Sequence, residues 1–376
     1  MKRKRALLTI GCLLLCGCTR SVEQNPDGLQ ITGHMDLQYA EQFSVDTCAD
    51  GCSVIHIGAD SYLLVPENTA VPEVPENMTI LQQPIENVYI AASDAMDLFD
   101  AAGALDAVTM TSTKEKDWTL PRIRTAMQQG KLDYIGKYSA PDYEILAESG
   151  CQLAVENTMI YHNPAAKEQI EALGIPVLVE LSSMESHPLG RMEWMRLYGL
   201  ILGKEQEAEQ YFAEKQALFQ SIESPDLPDE SRMTCVFFSV SPNGYVNIRK
   251  PGDYISKMIE LAGGRYVFTA DQLHVDDNAL STMNIQMEAF YETACDADCL
   301  IYNSTVNGQL NTLSDLTAMN PVFQDFRAVQ SGNVWCTEQN LFQQTTGAAD
   351  MIADFNRIIS GQADDDSQLT FLHKLN

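Results

Sequence analysis

Short apolar runs alternate with longer amphipathic stretches along most of the chain. In the first half, β-forming residues cluster at 107–110, 132–135, 153–155 and 176–179. Helical periodicity covers 94–101, 121–129, 142–148 and 164–173. Strands that alternate with helices are typical of a parallel sheet flanked by helices. This half therefore predicts an α/β lobe, and short β-rich runs at 42–43, 54–57 and 62–65 predict a hairpin at its edge.

The second half repeats the alternation. Its strand candidates are 234–240, 245–248, 299–302 and 334–336, and its helix candidates are 254–262, 286–294, 322–329 and 348–359. Between the halves, residues 190–222 keep apolar positions at helical spacing over several turns. At about 1.5 Å per residue, such a helix would form a rod of nearly 50 Å. The predicted fold is α/β, with two Rossmann-like lobes, each a largely parallel sheet flanked by helices, joined by one long α-helix.

The N-terminus has the layout of an export signal. Four positive residues precede the apolar run 6–16, which is shorter than the roughly 20 residues of a membrane-spanning helix. The run ends in Leu15-Cys16-Gly17-Cys18, which resembles a bacterial lipobox with Cys18 as the lipidated residue. The alternative makes Cys12, Cys16 and Cys18 ordinary small residues of a signal sequence. A lipid anchor implies an extracytoplasmic protein, on the outer face of the cytoplasmic membrane or in a periplasm.

These patterns divide the chain into segments. Residues 1–17 are the predicted signal peptide and 18–30 a lipid-anchored linker. The first lobe covers 31–189, the connecting helix 190–222 and the second lobe 232–361. The last residues, 362–376, begin with an acidic run and are expected to pack loosely.

Charge and cysteine content narrow the function. A formal net charge of −28 excludes nucleic acid as an electrostatic partner. Seven cysteines follow Cys18, so at least one should be unpaired in an oxidising compartment. Cys48 and Cys52 could close a small disulfide loop, and the pairing of Cys295 with Cys299 is left open. Neither pair has the spacing of a zinc site, so no metal is assigned and no cofactor is expected.

Catalytic signatures are missing from the sequence. It contains no GxSxG, HExxH, GxxxxGK[ST] or GxGxxG motif. A nitrogenase-like or chelatase-like pair of lobes would share the fold class, but the export signal argues against those cytoplasmic systems. We therefore expect a protein that is not an enzyme.

Four local motifs carry a resemblance to a known family. They are 139–144 (SAPDYE), 186–191 (SHPLGR), 259–264 (IELAGG) and 326–334 (FRAVQSGNV). In this order they resemble the substrate-binding proteins of the iron-siderophore, haem and cobalamin ABC importers, which have a rigid helical hinge. The resemblance implies a monomer that binds a metal chelate between its lobes and passes it to ABC permease and ATPase subunits. It also implies small lobe closure.

Ligands of open α/β sheets bind beside loops at the carboxyl ends of the strands. The site residues expected on these loops are Ser93, Lys114, Trp118, Lys137, Tyr138, Tyr161, His187 and Arg191 from the first lobe, and Tyr245, Arg249, Lys250, Asn303, Phe342 and Gln343 from the second. The cations would suit an anionic chelate and the aromatic rings a flat ligand. His187 could coordinate iron directly. The alternatives are salt bridges, a helix-capping histidine and aromatic side chains buried in the core.

Two glutamates match positions that dock to a permease in the related proteins. Glu144 stands just inside a predicted helix of the first lobe, and Glu288 is its counterpart in the second. A helix dipole alone also favours glutamate in the first turn. Two other functions stay open: a surface lipoprotein that senses or sequesters a ligand without transport, and a binder of a smaller oxyanion.

Overall fold

A computed structural model describes residues 29–75, 77–223, 227–363 and 369–376. The predicted signal peptide, the Cys18 lipidation site and most of the linker lie outside these residues. Within the described ranges, no helix is long and apolar enough to cross a membrane.

The first described elements form a five-stranded sheet in sequential order. Its strands are β1 (Ile31–His34), β2 (Phe43–Cys48), β3 (Ser53–Ile57), β4 (Asp60–Val65) and β5 (Met78–Gln82). The neighbours are antiparallel, except for the parallel pair β4 and β5. The predicted edge hairpin is therefore part of a complete small sheet.

The first lobe contains a parallel sheet. Its elements are β6 (Val88–Ile90), α1 (Ser93–Ala101), β7 (Val108–Thr111), α2 (Pro121–Gln128), β8 (Asp133–Tyr134), β9 (Gly136–Lys137), β10 (Ala140–Pro141), α3 (Tyr143–Glu148), β11 (Leu153–Asn157), α4 (Pro164–Ala172) and β12 (Val177–Glu180). The strand order is β12-β11-β6-β7-β8, and all neighbours are parallel. The predicted α/β lobe is confirmed, although its central strand β6 was not foreseen.

The connection between the lobes differs from the prediction of one long helix, which is wrong. The helix α5 (Pro188–Ile201) ends before Gly203, whose φ of +66° turns the chain, and α6 (Glu205–Gln220) follows. The rings of His187 and Phe219, at opposite ends of this segment, are 6.0 Å apart, so the two helices fold back as a hairpin. A side chain at Gly199 would lie 2.6 Å from Ala208 Cβ. Apolar residues recur at helical spacing in both helices, so the periodicity continued across the turn and hid it.

The second lobe contains a seven-stranded mixed sheet in the order β16-β14-β13-β17-β18-β19, with β15 beside β13. Its elements are β13 (Thr234–Val240), β14 (Val246–Arg249), α7 (Tyr254–Leu261), β15 (Arg265–Tyr266), α8 (Ala270–Leu273), β16 (Thr282–Ile285), α9 (Met287–Ala294), β17 (Cys299–Tyr302), α10 (Ser304–Asn307), α11 (Leu313–Met319), α12 (Arg327–Ser331), β18 (Val334–Thr337), α13 (Ala348–Ile359) and β19 (Leu372–Lys374). The pairs among β13, β15, β17 and β18 are parallel.

The C-terminal residues are not loosely packed where the structure describes them. Strand β19 pairs antiparallel with β18, and Phe371, Leu372 and Leu375 are buried. The prediction of a loose tail is therefore wrong for residues 369–376. The acidic run in 364–368, on which that prediction rested, lies outside the described residues.

One continuous apolar core extends through both lobes and the helical hairpin. It includes Phe99 of the first lobe, Trp194 of α5, and Phe238 of the second lobe. Helix α6 reaches the second lobe through an ion pair of 2.6 Å between Lys215 and Asp350. All seven cysteines of the described ranges are free, so neither of the disulfides left open by the sequence is formed.

Candidate ligand-binding cleft

Residues that follow parallel strands of the two lobes are joined by hydrogen bonds. The Thr346 backbone N–H and hydroxyl donate to Asp97 Oδ2 at 2.8 and 2.6 Å. Close by, the Thr345 hydroxyl donates to the backbone carbonyl of Asp94 at 3.1 Å. The loop that follows β18 is therefore bound to the first turns of α1.

A cavity of about 410 Å³ opens between the lobes. The first lobe supplies Ser93, Asp117 and Thr119, and the second supplies Ser304, Thr305, Gly308, Gln339, Phe342 and Gln343. This size is within the range of small-molecule sites. Three of the predicted site residues, Ser93, Phe342 and Gln343, are thus brought together from both lobes.

Gln343 spans the cleft with its side-chain amide. Its Oε1 accepts hydrogen bonds from the Thr119 backbone N–H at 2.7 Å and from the Thr119 hydroxyl at 2.6 Å. Its Nε2 donates to the Asp117 carbonyl oxygen at 2.8 Å. The amide is therefore fully engaged across the cleft, and it joins the lobes at the wall of the cavity.

Two arginines and two aromatic rings form a stack beside this cavity. The Arg191 guanidinium carbon lies 4.0 Å from the centroid of the Tyr254 ring. That of Arg249 lies 4.8 Å from the Phe342 ring and 5.8 Å from Tyr254. At these distances the cations are attracted by the faces of the rings. The predicted residues Arg191, Arg249 and Phe342 therefore belong to one cluster that includes Tyr254.

Each guanidinium of the stack also has a carboxylate partner. Arg191 lies 3.5 Å from Asp94, and Arg249 lies 3.4 Å from Asp253. Glu180 is buried near the first pair, and burial raises the pKa of its carboxyl group. Two of the five cations that the sequence offered to an anionic ligand, Arg191 and Arg249, are thus already paired within the protein.

Three other predicted site residues have structural contacts. His187 caps α5 by accepting the Leu189 N–H at Nδ1, and its ring stacks on Tyr39 at 4.6 Å. Burial lowers the pKa of His187 to about 4, so its ring is neutral at pH 7. Trp118 is only 2% exposed and belongs to the core, and Asn303 caps α10.

None of the other predicted site residues is among the described residues that line the interlobe cavity. Lys114 is exposed, with its ammonium 5.6 Å from the centroid of Tyr134. The same exposure is found at Lys137, Tyr161 and Tyr245, whereas Tyr138 and Lys250 are partly buried. Of these, Tyr138 packs against an apolar cluster of the first lobe. Ligand contact by these residues stays a prediction.

Sequence reasoning missed several members of the cluster. Tyr254 begins α7 directly after its capping residue Asp253, whose carboxylate accepts the Ile255 N–H at 3.0 Å. The pattern of a capping aspartate before a helix was the available signal, but it indicates a helix start and not a ligand site. Thr119 and Asp94 each lie one residue from a predicted position, beside Trp118 and Ser93.

The two proposed docking glutamates are exposed on the surface. Glu144 lies in the first turn of α3 and Glu288 in the first turn of α9, on different lobes. No described part of the chain buries either glutamate side chain.

Comparison with known proteins gives relatives and structural neighbours. No family model matches the sequence. Two uncharacterised lipoproteins of Methanocaldococcus jannaschii are each 24% identical to this chain. For one, the match covers 75% of this chain and 68% of the relative's length. For the other, it covers 95% of this chain and 91% of the relative's length.

Solved structures show the fold. A periplasmic binding protein from Veillonella parvula has a TM-score of 0.59 at 16% identity and covers 85% of this chain and 98% of its own. A periplasmic haem-binding protein of Pseudomonas aeruginosa has a TM-score of 0.56 at 14% identity and covers 77% of this chain and 99% of its own. A periplasmic haem-binding protein of Vibrio cholerae has a TM-score of 0.55 at 17% identity and covers 71% of this chain and 96% of its own.

These neighbours show that the chain has the fold of the two-lobed periplasmic binding proteins. The neighbours include proteins named for binding haem, vitamin B12 and petrobactin, which agrees with the family that the four sequence motifs resemble.

Proposed function

We propose that this chain is an extracytoplasmic substrate-binding lipoprotein that captures a metal chelate and delivers it to an ABC permease. The chelate classes are iron siderophores, haem and cobalamin. The observation that carries the proposal is the cavity of about 410 Å³ between the lobes, with the guanidinium and aromatic stack beside it. Neighbours of the same fold include proteins named for binding haem and vitamin B12, which supports this class of ligand.

Binding without catalysis agrees with the chemistry of the cavity wall. The Thr305 hydroxyl donates to Asn303 Oδ1 at 2.7 Å, and the Ser304 hydroxyl contacts that of Thr337 at 3.2 Å. A hydroxyl needs an adjacent general base to become a nucleophile. These partners are an amide and another hydroxyl, so neither of the two is activated.

Membrane attachment is part of the proposal. The Leu15-Cys16-Gly17-Cys18 sequence supports lipidation of Cys18, and two relatives are named lipoproteins. An anchor near residue 18 would keep the lobes at the membrane, where a permease is located.

Ligand binding can be tested with a thermal-shift screen of residues 19–376 against ferric siderophores, haem and cobalamin. A ligand at 100 times its dissociation constant adds about 2.7 kcal/mol to the stability of the folded state. We expect one chelate to raise the Tm of the wild type and of Arg122→Ala, whose side chain pairs with Asp100 away from the cavity. Phe342→Ala, which removes the aromatic ring from the cavity wall, should lose most of the shift. No shift with any chelate would refute the proposal.

Delivery requires a separate test with the docking glutamates. Glu144→Ala and Glu288→Ala should reduce uptake into cells while the purified proteins bind the chelate as the wild type does. Glu148→Ala is the matched control, because Glu148 is exposed on the same helix as Glu144 but in its last turn. Unchanged uptake by both docking variants would instead favour a surface lipoprotein that binds the ligand without transport.

A further inference from the structure

The wall of the interlobe cavity carries little charge. Its polar side chains are hydroxyls and amides, namely Ser93, Thr119, Ser304, Thr305, Gln339 and Gln343. Its one ionisable side chain is the carboxylate of Asp117, and no lysine or arginine lines it among the residues that the structure describes. In a chain with a net charge of −28, an anion would approach this wall without a lysine or arginine there to offset the repulsion.

The nearest buried cations are not free to serve as that wall. The side chains of Arg191 and Asp94 are 9% and 20% exposed, and those of Arg249 and Asp253 are 11% and 4% exposed. An anionic ligand that took either guanidinium would leave a largely buried carboxylate without its partner. Breaking a buried pair in this way is strongly unfavourable.

None of the three predicted lysines, Lys114, Lys137 and Lys250, is among the described residues that line this wall. Lys114 and Lys137 are exposed, and exposed charges interact weakly because water and salt screen them. The sequence around Lys114 also alternates in sign, since Glu115 and Asp117 lie on the same turn. These two exposed lysines can therefore attract an anionic ligand only weakly.

We infer that the chelate held in this cleft carries no net negative charge, and is a neutral or cationic complex that binds through hydrogen bonds to the hydroxyl and amide groups of the wall. The inference rests on the proposed function and narrows its ligand class. Neutral ferric trihydroxamates and cobalamin fit it, whereas haem with two carboxylates and triply negative ferric tricatecholates do not. The hydrogen-bonding groups of the cavity wall include the exposed amide of Gln339 and the hydroxyl of Ser93.

The direct test measures dissociation constants of four probes by calorimetry with residues 19–376. The neutral probes are a ferric trihydroxamate and cyanocobalamin, and the anionic probes are a ferric tricatecholate and haem. We expect at least one neutral probe to bind about tenfold or more tightly than either anionic probe. An anionic probe that binds equally well or better overturns the inference and leaves the proposed function intact. Binding by none of the four refutes the proposed function itself.

A charge added to the wall tests the cause. Gln339→Lys places a cation at the cavity and should strengthen binding of the tricatecholate about fivefold or more. Gln362→Lys adds the same charge on an exposed residue that does not line the cavity, and should have no such effect. If the two variants bind the tricatecholate alike, local charge does not set the preference and the inference is wrong.

Discussion

The carboxyl group of Glu156 is buried without a hydrogen-bond partner. It lies on β11 with 0% of the residue exposed, and neither carboxyl oxygen has a partner among the described residues. The hydroxyl of Tyr89, on the neighbouring strand, is also buried and unpartnered. Burial raises the pKa of Glu156 to about 8, because the apolar surroundings disfavour the charged form.

This residue should make stability depend on pH. The pKa of Glu156 is about 8 in the folded state and 4.5 in the unfolded state. The folded protein thus holds a proton that the unfolded chain has lost between these values, and stability should fall as the pH rises through this window. Glu156→Gln keeps the shape without the charge, so it should be more stable than the wild type by about 2–4 kcal/mol at pH 8.5 and similar to it at pH 4.5.

Urea denaturation across this pH range would measure the difference. Glu168→Gln, an exposed change on the neighbouring helix α4, is the control and should parallel the wild type. Parallel curves for Glu156→Gln and the wild type would show that Glu156 does not titrate in the folded protein with a raised pKa.

At the scale of single residues, the sequence could predict loop positions but not contacts. Ser93, Arg191 and Gln343 were predicted because loops at the carboxyl ends of strands form the sites of α/β proteins. The pairing of Arg249 with Asp253 was not foreseen, although the two are four residues apart. Asp253 caps α7 as well, and a capping role gives no indication of a second contact made by the same carboxylate.

At the scale of elements, residues 36–42 form a segment, here called the N-terminal strap, that is held against α5 by two buried glutamates. Glu193 accepts the backbone N–H groups of Gln38, Tyr39 and Ala40 at 2.8–2.9 Å. Glu185 accepts those of Glu41 and Gln42 at 2.8 and 3.0 Å. The strap has no regular secondary structure, so these carboxylates satisfy backbone donors that have no partner in a helix or sheet.

Glu193→Gln should therefore destabilise the protein strongly. The amide replaces one acceptor oxygen by a donor that faces backbone N–H groups, and it also breaks the 2.8 Å ion pair with Arg196. Loss of a buried ionic contact of this kind costs about 2–4 kcal/mol. The measurement is the free energy of unfolding in urea.

The chain offers a matched control for this prediction. Glu209 pairs with the same Arg196 at 2.7 Å, but its side chain is 58% exposed. Glu209→Gln should lower stability by about 0.5 kcal/mol or less, because exposed ion pairs contribute little. Equal losses for the two variants would mean that the strap is not held by Glu193.

The order of elements was more predictable than their bounds. Alternating strands and helices gave the two lobes, but the three residues of β6 were too short to produce a pattern, although β6 is the centre of its sheet. The turn at Gly203 was hidden for the opposite reason, since apolar spacing stayed helical on both sides of it. The N-terminal strap had no periodicity at all, and its position depends on contacts with residues about 150 positions later.

At the scale of the whole molecule, the lobes are joined in two different ways. Near α1, Thr346 is bound to the buried carboxylate of Asp97, and the apolar core continues between the lobes. At the cavity wall, only the amide of Gln343 makes the connection to Thr119 and Asp117. The first contact is enclosed by α5 and α13, whereas the second borders solvent. The cleft should therefore open at Gln343 while it stays closed at Thr346.

Amide hydrogen exchange can separate these two contacts, because each involves a backbone N–H. In Gln343→Ala, the Thr119 N–H loses its acceptor and should exchange about tenfold or more faster than in the wild type. The Thr346 N–H keeps Asp97 as its acceptor and should exchange at the wild-type rate. Gln339→Ala, which changes the same cavity wall without touching either bond, should alter neither rate.

Acceleration at both amides in Gln343→Ala would mean that the lobes separate as rigid bodies about a loose connection. That result would contradict the stiff hinge implied by the continuous core. Acceleration at Thr119 alone would mean that the interlobe cavity opens locally, by release of the loop that carries Gln343 and Phe342. A ligand could then enter the cavity without rotation of the lobes. Entry would break the three hydrogen bonds of the Gln343 amide, and polar groups of the ligand would replace them.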